Sequence, residues 1–413
     1  MADVPLDLTA YSNVLKDVYE VGIAEAVNHC HYFMDRIKKN VEDIDFVGKQ
    51  AIIPVEYADN EGFAFRSIAT EPALPVAGVP KWTQSKTPIR GCYGVLRIDS
   101  PTIKASRSDK GAFAKGLDTL VRNLKNGIAR DMNRILLGDG YGMLSLGGTT
   151  SGSTTINLAT FPGVKWIRNG MLVDIRTLTT GAIVTNGSAA LVSARSASGN
   201  TFVVPAAVSC TVLEGIFRAG ALGVEMMGIK GIINNADPAG GDLQGIDRMS
   251  YPEWQSYVFD NPLGTGGTDR AISLRLMDQA CDKAELENGG HVSIIVTTPA
   301  IRRNYTNLLI ADRRFVKDLK LDGGHTGVAY SHSHEIPIMA DPDCYKGHMY
   351  FVDESTLNRY VMADWGWLDE GTGILKWNSG YASFTAVMEA YMEIGCSNPS
   401  RNTVIKDIDE TEV

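Results

Sequence analysis

His325, His332, His334, Asp341, Asp343, Cys344 and His348 form the densest collection of metal-type side chains in this chain. Histidine, cysteine and aspartate are what a zinc ion takes, but structural zinc sites draw closely paired ligands from both sides of a loop. Here His332 and His334 make the only close pair, and strand alternation would put both on one face. The pattern reads as a solvated loop with incidental histidines, and no metal ligand is assigned. A second pair, His29 and His31 around Cys30, lies in a segment of helical periodicity, where residues two apart do not face each other. Gly264-Thr265-Gly266-Gly267-Thr268 precedes a helical stretch and has the glycines of a phosphate cradle. It lacks both the Lys-Ser/Thr of a P-loop and the Gly-x-Gly-x-x-Gly spacing, so it reads as a linker, with Thr268 or Asp269 capping the helix. Neither a Gly-x-Ser-x-Gly elbow nor a His-Glu-x-x-His pair occurs. The residues assemble no catalytic constellation, and neither an enzymatic activity nor a cofactor is expected.

One helix carries charge in an informative way. Residues 107–137 place Phe113, Leu117, Leu120, Leu124, Ile128, Met132 and Ile135 on one face. The other faces carry seven basic residues against three acidic ones, in a chain whose formal net charge is −9. A solvated helix face is the plain reading. A surface turned toward phosphate is the functional one, with Arg122, Lys125, Arg130 and Arg134 as its candidate residues.

Length and composition bound the remaining choices. At 413 residues the chain exceeds the ~250–300 over which a single core grows, so two or more lobes are expected. Hydrophobic residues at 44% and charged residues at 21% are the balance of a folded protein. The 42 glycines point to many tight turns, as long hairpins require. Six dispersed cysteines without a Cys-x-x-Cys pair read as reduced thiols of a cytosolic compartment. No secretory signal is visible, and no apolar run reaches the ~18 residues of a membrane span, so no membrane partner is expected.

The elements follow from periodicity. Residues 7 to about 39 carry an apolar stripe at helical spacing. From Lys49 to Asp99 the period becomes two: Ile53, Val55 and Tyr57, then Phe63 and Phe65, with Tyr93, Val95 and Ile98 as the returning strand. Between them Glu71–Pro80 is too rich in proline for a sheet interior. Two long strands with a Pro/Gly tip (Pro72, Pro75, Gly78, Pro80) make an extended β-hairpin, marginal alone, which wants a neighbouring subunit to rest on. Residues 145–210 hold short strand-like runs punctuated by glycine, the texture of a small β-barrel or sandwich. A helix is expected from about Asp269 to Glu287, with Gly289-Gly290 past its end. Tyr381 to Gly395 reads as a strand, and an acidic tail follows.

The most specific stretch runs from Ile294 to Asp369. The strand Ile294-Ile295-Val296 leads to Pro299, which opens a helix carrying Arg302-Arg303 and then Arg313-Arg314-Phe315. After Gly323-Gly324 come Ile336–Asp343, the run Tyr350-Phe351-Val352-Asp353, and Asp364-Trp365-Gly366-Trp367-Leu368-Asp369. This ordered series resembles the axial domain of tailed-bacteriophage major capsid proteins, the Hong Kong 97-type fold. The resemblance implies an α+β fold with an N-terminal helical arm at 1–45, an extended hairpin loop at 46–104 and a spine helix within 105–144. It further implies a peripheral domain continued at 211–294, an axial domain at 295–365, and a peripheral strand with the acidic tail at 366–413. The β-rich stretch 145–210 is an insertion beyond the minimal family plan.

The implied function is self-assembly into pentamers and hexamers of an icosahedral shell enclosing double-stranded DNA, in a virion assembled in the host cytoplasm. A scaffolding protein, a portal and decoration proteins are the further partners of such a shell. No long scaffolding segment fits before residue 7, so the expectation is either a separate scaffold or a chain already processed, with the starting Met arguing against processing. An encapsulin-like compartment around protein cargo is the alternative, and a metal-dependent hydrolase using His332 and His334 a distant one.

Overall fold

The computed structural model describes residues 32–39, 45–58, 60, 62–65, 76–100, 110–159, 162–261, 269–311, 319–320, 326–369 and 373–411. Most of the N-terminal helical stretch, Pro72, Pro75, the Gly264–Thr268 linker, Arg313–Phe315 and His325 lie outside them. The architecture is mixed α+β, in two compact units. One comprises Met1–Leu136, Gln244–Trp254 and Glu354–Pro399; the other comprises Leu137–Leu243, Gln255–Asp353 and Ser400–Val413. Elements are numbered along the chain.

In the first unit, the short helix α1 (Tyr32–Arg36) buries Phe33 and Met34. Its Arg36 guanidinium donates from Nε and Nη2 to the two carboxylate oxygens of Glu354, a two-armed pairing with planar complementarity. The two-residue strand β1 (Lys38–Lys39) then pairs in parallel with β19 (Leu357–Trp367). Strands β2 (Asp45–Val47), β3 (Gln50–Ala58) and β4 (Lys81–Pro88) form an antiparallel ribbon in the order β2-β3-β4. The larger sheet runs β1-β19-β21-β20, with β21 at Ser383–Cys396 and β20 at Lys376–Trp377, and β5 (Arg90–Asp99) pairs along β21.

Along β5, Gly94, Leu96 and Ile98 point inward while Tyr93, Val95 and Arg97 point out. The long helix α2 (Lys110–Leu136) lies over the inward face. A Cβ on Gly94 would meet the side chains of Ile128 and Leu124, so glycine is what admits the helix this closely.

Two sequence expectations change here. The strand that returns from the hairpin is Lys81–Pro88; Tyr93–Ile98 belongs to β5, whose partner is β21. The physical reason is that the inward positions of β4 are Ser85 and Thr87, hydroxyl side chains that give no apolar alternation to read. Leu357–Trp367, expected inside the axial stretch 295–365, pairs instead with β21 in this unit.

The second unit has two parts. Strands β6 (Met143–Leu146), β12 (Glu214–Arg218), β8 (Leu172–Thr177) and β9 (Ala190–Leu191) form one small sheet in that order. A second sheet runs β10 (Ala194–Ser196), β11 (Thr201–Cys210), β7 (Thr150–Asn157). Ile156, Ile167, Val173, Ile175, Phe202 and Ile216 are fully buried in their shared core. The β-rich stretch expected at 145–210 thus extends from Met143 to Arg218. The single turn α3 (Ile229–Ile232) follows.

The other part is a seven-stranded mixed sheet. Its order is β13 (Tyr257–Phe259), β22 (Thr403–Ile405), β18 (Met349–Val352), β14 (Ile294–Thr297), β17 (Glu335–Ala340), β16 (Thr326–Ser331), β15 (Leu319–Lys320). Central β14 and β18 are buried at every position, which is why both are unbroken apolar runs. Helix α4 (Leu274–Asp282) covers the sheet together with α5 (Pro299–Ala311), and Met277, Cys281, Ile301 and Tyr305 enter the core. Proline at the first position of α5 costs no intrahelical hydrogen bond. The cap of α4 is Ser273, whose Oγ accepts from the Leu276 N–H at 3.3 Å, and not Thr268 or Asp269. Thr403–Ile405, within the stretch 366–413 expected to be a peripheral strand and tail, inserts between β13 and β18.

His348 sits between Tyr345 and Tyr350, and its Nδ1 lies 2.8 Å from the Lys346 carbonyl oxygen. Burial pushes its pKa from 6.5 down to about 4, aided by Lys230 and Lys406. The folded chain therefore keeps this ring neutral where the unfolded chain would protonate it. Its stabilising effect is complete above pH 6.5 and drains away as pH falls toward 4. Because the ring is partly exposed, a loss of about 2 kcal/mol is expected across that window. Urea unfolding at pH 7 and pH 4.5 measures it, and His348→Gln should flatten the difference by that amount.

Candidate assembly surfaces

The hairpin carries several highly exposed apolar side chains. Phe65 is 88% exposed, Phe63 77%, Val76 89% and Val79 75%. Phe63 and Phe65 meet edge to face, with ring centroids 5.1 Å apart. Trp82 at the start of β4 is exposed as well. A solvated limb rarely holds this many bare apolar groups in sequence, and such patches usually mark interaction surfaces. Of the tip residues named from the sequence, Gly78 and Pro80 are half-buried and adjoin β4, while Pro72 and Pro75 lie outside the described residues. A Cβ on Gly62 would meet the Gly78 backbone nitrogen, so the two limbs approach closely there.

What fixes the root of this hairpin is a residue the sequence reading passed over. Gln244 is 6% exposed and adopts a left-handed backbone, φ 54°. Its side-chain Nε2 donates to Ser85 Oγ and Thr87 Oγ1, each at 2.8 Å, and its Oε1 accepts from the Cys396 N–H at 3.1 Å. Its carbonyl oxygen accepts from the Lys86 N–H at 2.8 Å. One amide thereby joins the inward face of β4 to the end of β21. Tyr251, on the same chain excursion, meets Tyr57 of β3 edge to face at 5.2 Å. Nothing in the local sequence announces Gln244, because its partners are more than a hundred residues away on both sides.

The basic helix face is divided by burial. Arg122 and Arg130 are exposed and Lys125 is half-buried, whereas Arg134 is only 7% exposed. The expectation that all four share an open basic surface fails at Arg134, because the last turn of α2 is enclosed: Met132, Asn133 and Leu136 are buried with it. Among the described residues, no helix is long and apolar enough to cross a membrane.

Of the metal-type side chains grouped by sequence, His334 comes together with Glu285 and His291 rather than with Asp341, Asp343 or Cys344. Asp343 instead accepts from the Trp166 indole N–H at 2.9 Å and pairs with Lys165 at 3.2 Å. Cys344 is buried, and burial raises its thiol pKa.

No family model matches the sequence, and no curated protein matches it. Solved structures do. The chain is similar to the capsid asymmetric unit of cyanophage A-1(L), with 12% identity and a TM-score of 0.51, over 99% of this chain and 95% of that chain. The structure of Mycobacterium phage Bobi is looser, with 9% identity and a TM-score of 0.42 over 90% of this chain and 89% of that one. An encapsulin complex from Synechococcus elongatus aligns over 38% of this chain and 54% of its own, with 9% identity and a TM-score of 0.28. At such identities the likeness to the cyanophage structure bears on fold alone, and it runs nearly end to end: the chain has the fold of a phage capsid protein.

Proposed function

We propose that the chain is the major capsid protein of a tailed bacteriophage, assembling into the pentamers and hexamers of an icosahedral shell around double-stranded DNA. The observation that carries this is the alignment with a capsid protein fold over almost the full length of both chains. The bare apolar hairpin supports it, since a limb with Phe63, Phe65, Val76 and Val79 in solvent gains most by lying on a neighbouring copy. In this reading α2 is the spine helix, Met143–Arg218 lies in an inserted domain, and the seven-stranded sheet with α4 and α5 is the axial domain. Electron microscopy of the purified chain, alone and co-expressed with candidate scaffolding proteins, tests it. Closed shells or rings of five and six are expected. A monomer or dimer under every condition would overturn the proposal, and particles holding protein cargo without DNA would favour the encapsulin-like alternative.

The exposed part of the basic face, Arg122 and Arg130 with Lys125, is assigned to the inner surface facing phosphate. Each basic side chain engaged with phosphate releases about one counterion. Arg122→Glu with Arg130→Glu should leave the chain folded and flatten the log–log salt dependence of DNA binding by about one unit per arginine. An unchanged slope and normal DNA content per particle would remove this assignment.

A further inference from the structure

One cluster is used neither by the hairpin nor by the basic helix. Immediately after α4 the backbone widens into a π turn, Lys283–Glu287, that carries Glu285. Such turns are rare and recur at functional sites, because the extra residue redirects side chains. Glu285, His291 and His334 offer ligand atoms that all lie within 4.8 Å of one another. Glu285 Oε1 and His334 Nδ1 are 3.8 Å apart. The His291 and His334 rings lie at 4.1 Å between centroids, tilted by 28°.

We propose that Glu285, His291 and His334 bind one divalent transition-metal ion of the zinc class, with a fourth position open to solvent. The donor set suits such an ion: two imidazoles and one carboxylate, leaving an open position. Around a tetrahedral zinc, ligand atoms stand about 3.4 Å apart, given bond lengths of ~2.0–2.2 Å. The Glu285–His334 pair is within half an ångström of that spacing, and His291, which is exposed, can turn to complete it.

The surroundings hold the donors as metal sites do. His334 Nε2 lies 2.7 Å from the Val292 carbonyl oxygen, an acceptor only. That nitrogen therefore carries the hydrogen, and Nδ1 is left facing Glu285. The Glu285 carboxylate is fixed at both oxygens, by the Val292 N–H at 3.3 Å and the Ser333 hydroxyl at 2.9 Å. The Ser333 Oγ is also 2.9 Å from His334 Nδ1, so its hydrogen goes to Glu285 when that nitrogen takes a metal. The backbone N–H of His291 is tied to Asp353 Oδ2 at 3.1 Å, which holds the residue beside the other two. His332 stays out of the site. Its nitrogens face Asp278 and Asp282, at 3.3 and 3.2 Å.

The inference stands independently of the shell reading and is tested on the purified full chain. After chelator treatment, Co2+ is titrated with its visible spectrum as readout, and Zn2+ is then added as competitor. Saturable binding of one ion per chain is expected, with a tetrahedral-type spectrum that Zn2+ erases. His291→Ala should weaken binding at least about 100-fold, and Ser333→Ala about 10-fold. Because His291 is exposed, its variant keeps the parent melting temperature, which separates lost ligation from lost fold. His332→Ala should bind as the parent does. No saturable binding, or binding that survives His291→Ala and disappears in His332→Ala, would overturn the proposal.

Discussion

Phe65→Asp combined with Val79→Asp should yield a chain that folds and melts as the parent does but closes no shells. Both side chains stand in solvent in the single chain, so replacing them removes little intramolecular packing beyond the Phe63–Phe65 ring contact. On the surface of a neighbouring copy they would bury their apolar area, each contributing on the order of 2 kcal/mol. Losing one such contact weakens a pairwise association about 30-fold. The introduced carboxylates add a desolvation cost if the contact forms at all. Every subunit repeats the deficit around a closed particle, so free subunits or open capsomers are the expected products. Electron microscopy with size-exclusion chromatography reads this directly, and deletion of residues 72–80 should behave alike. Intact shells at parental yield from the double variant would show that the hairpin makes no assembly contact.

Gln244→Ala should be the most destabilising single change in the first unit. It strands the Ser85 and Thr87 hydroxyls and the Cys396 N–H in a buried site and removes three hydrogen bonds at once. At about 1 kcal/mol net for each bond, the loss is about 3 kcal/mol, and more if the orphaned groups find no water. The left-handed backbone, φ 54°, is a strain that glutamine and alanine bear alike, so the difference rests on the lost hydrogen bonds. Nor can the space close from the other side. A Cβ on Gly395 would run into the Tyr360 ring and lie 3.0 Å from Gln244 Nε2, so the site is already filled. Urea unfolding should give the free-energy loss, with faster hydrogen exchange at the β4 amides. Ser85→Ala with Thr87→Ala on the Gln244→Ala background should cost little further, because those hydroxyls then have no amide donor to lose. Strict additivity would mean that the network does not act as a unit.

Periodicity exposed the elements that bury one face or both. The stripe through Leu124, Ile128 and Met132 marked α2, and the unbroken runs Ile294–Val296 and Tyr350–Val352 marked the centre of the mixed sheet. In each of these, burial and local residue type carry the same information. The pattern misled where inward positions are polar. Ser85 and Thr87 hid β4, and the hairpin was closed instead through Tyr93 and Val95, which are exposed. Arg134 reads as the end of an open basic face because a helix wheel does not show that the last turn is buried.

By itself, the sequence determined the mixed α+β class, the long helix ending at Leu136, the outgoing hairpin strand, and the order of strands and helix from Ile294 that resembles a capsid axial domain. The tertiary structure alone decided which distant segments meet. It brought Gln244 to Ser85, Thr87 and Cys396, set Thr403–Ile405 between β13 and β18, and gathered Glu285, His291 and His334 at one π turn. The division follows from range. Hydrophobic periodicity is a local property, repeated every two or three to four residues, and a chain writes it wherever one face is buried. Polar pairings over fifty to two hundred residues leave no periodic trace, because each is specified by one side chain whose partner is chosen by the path of the backbone.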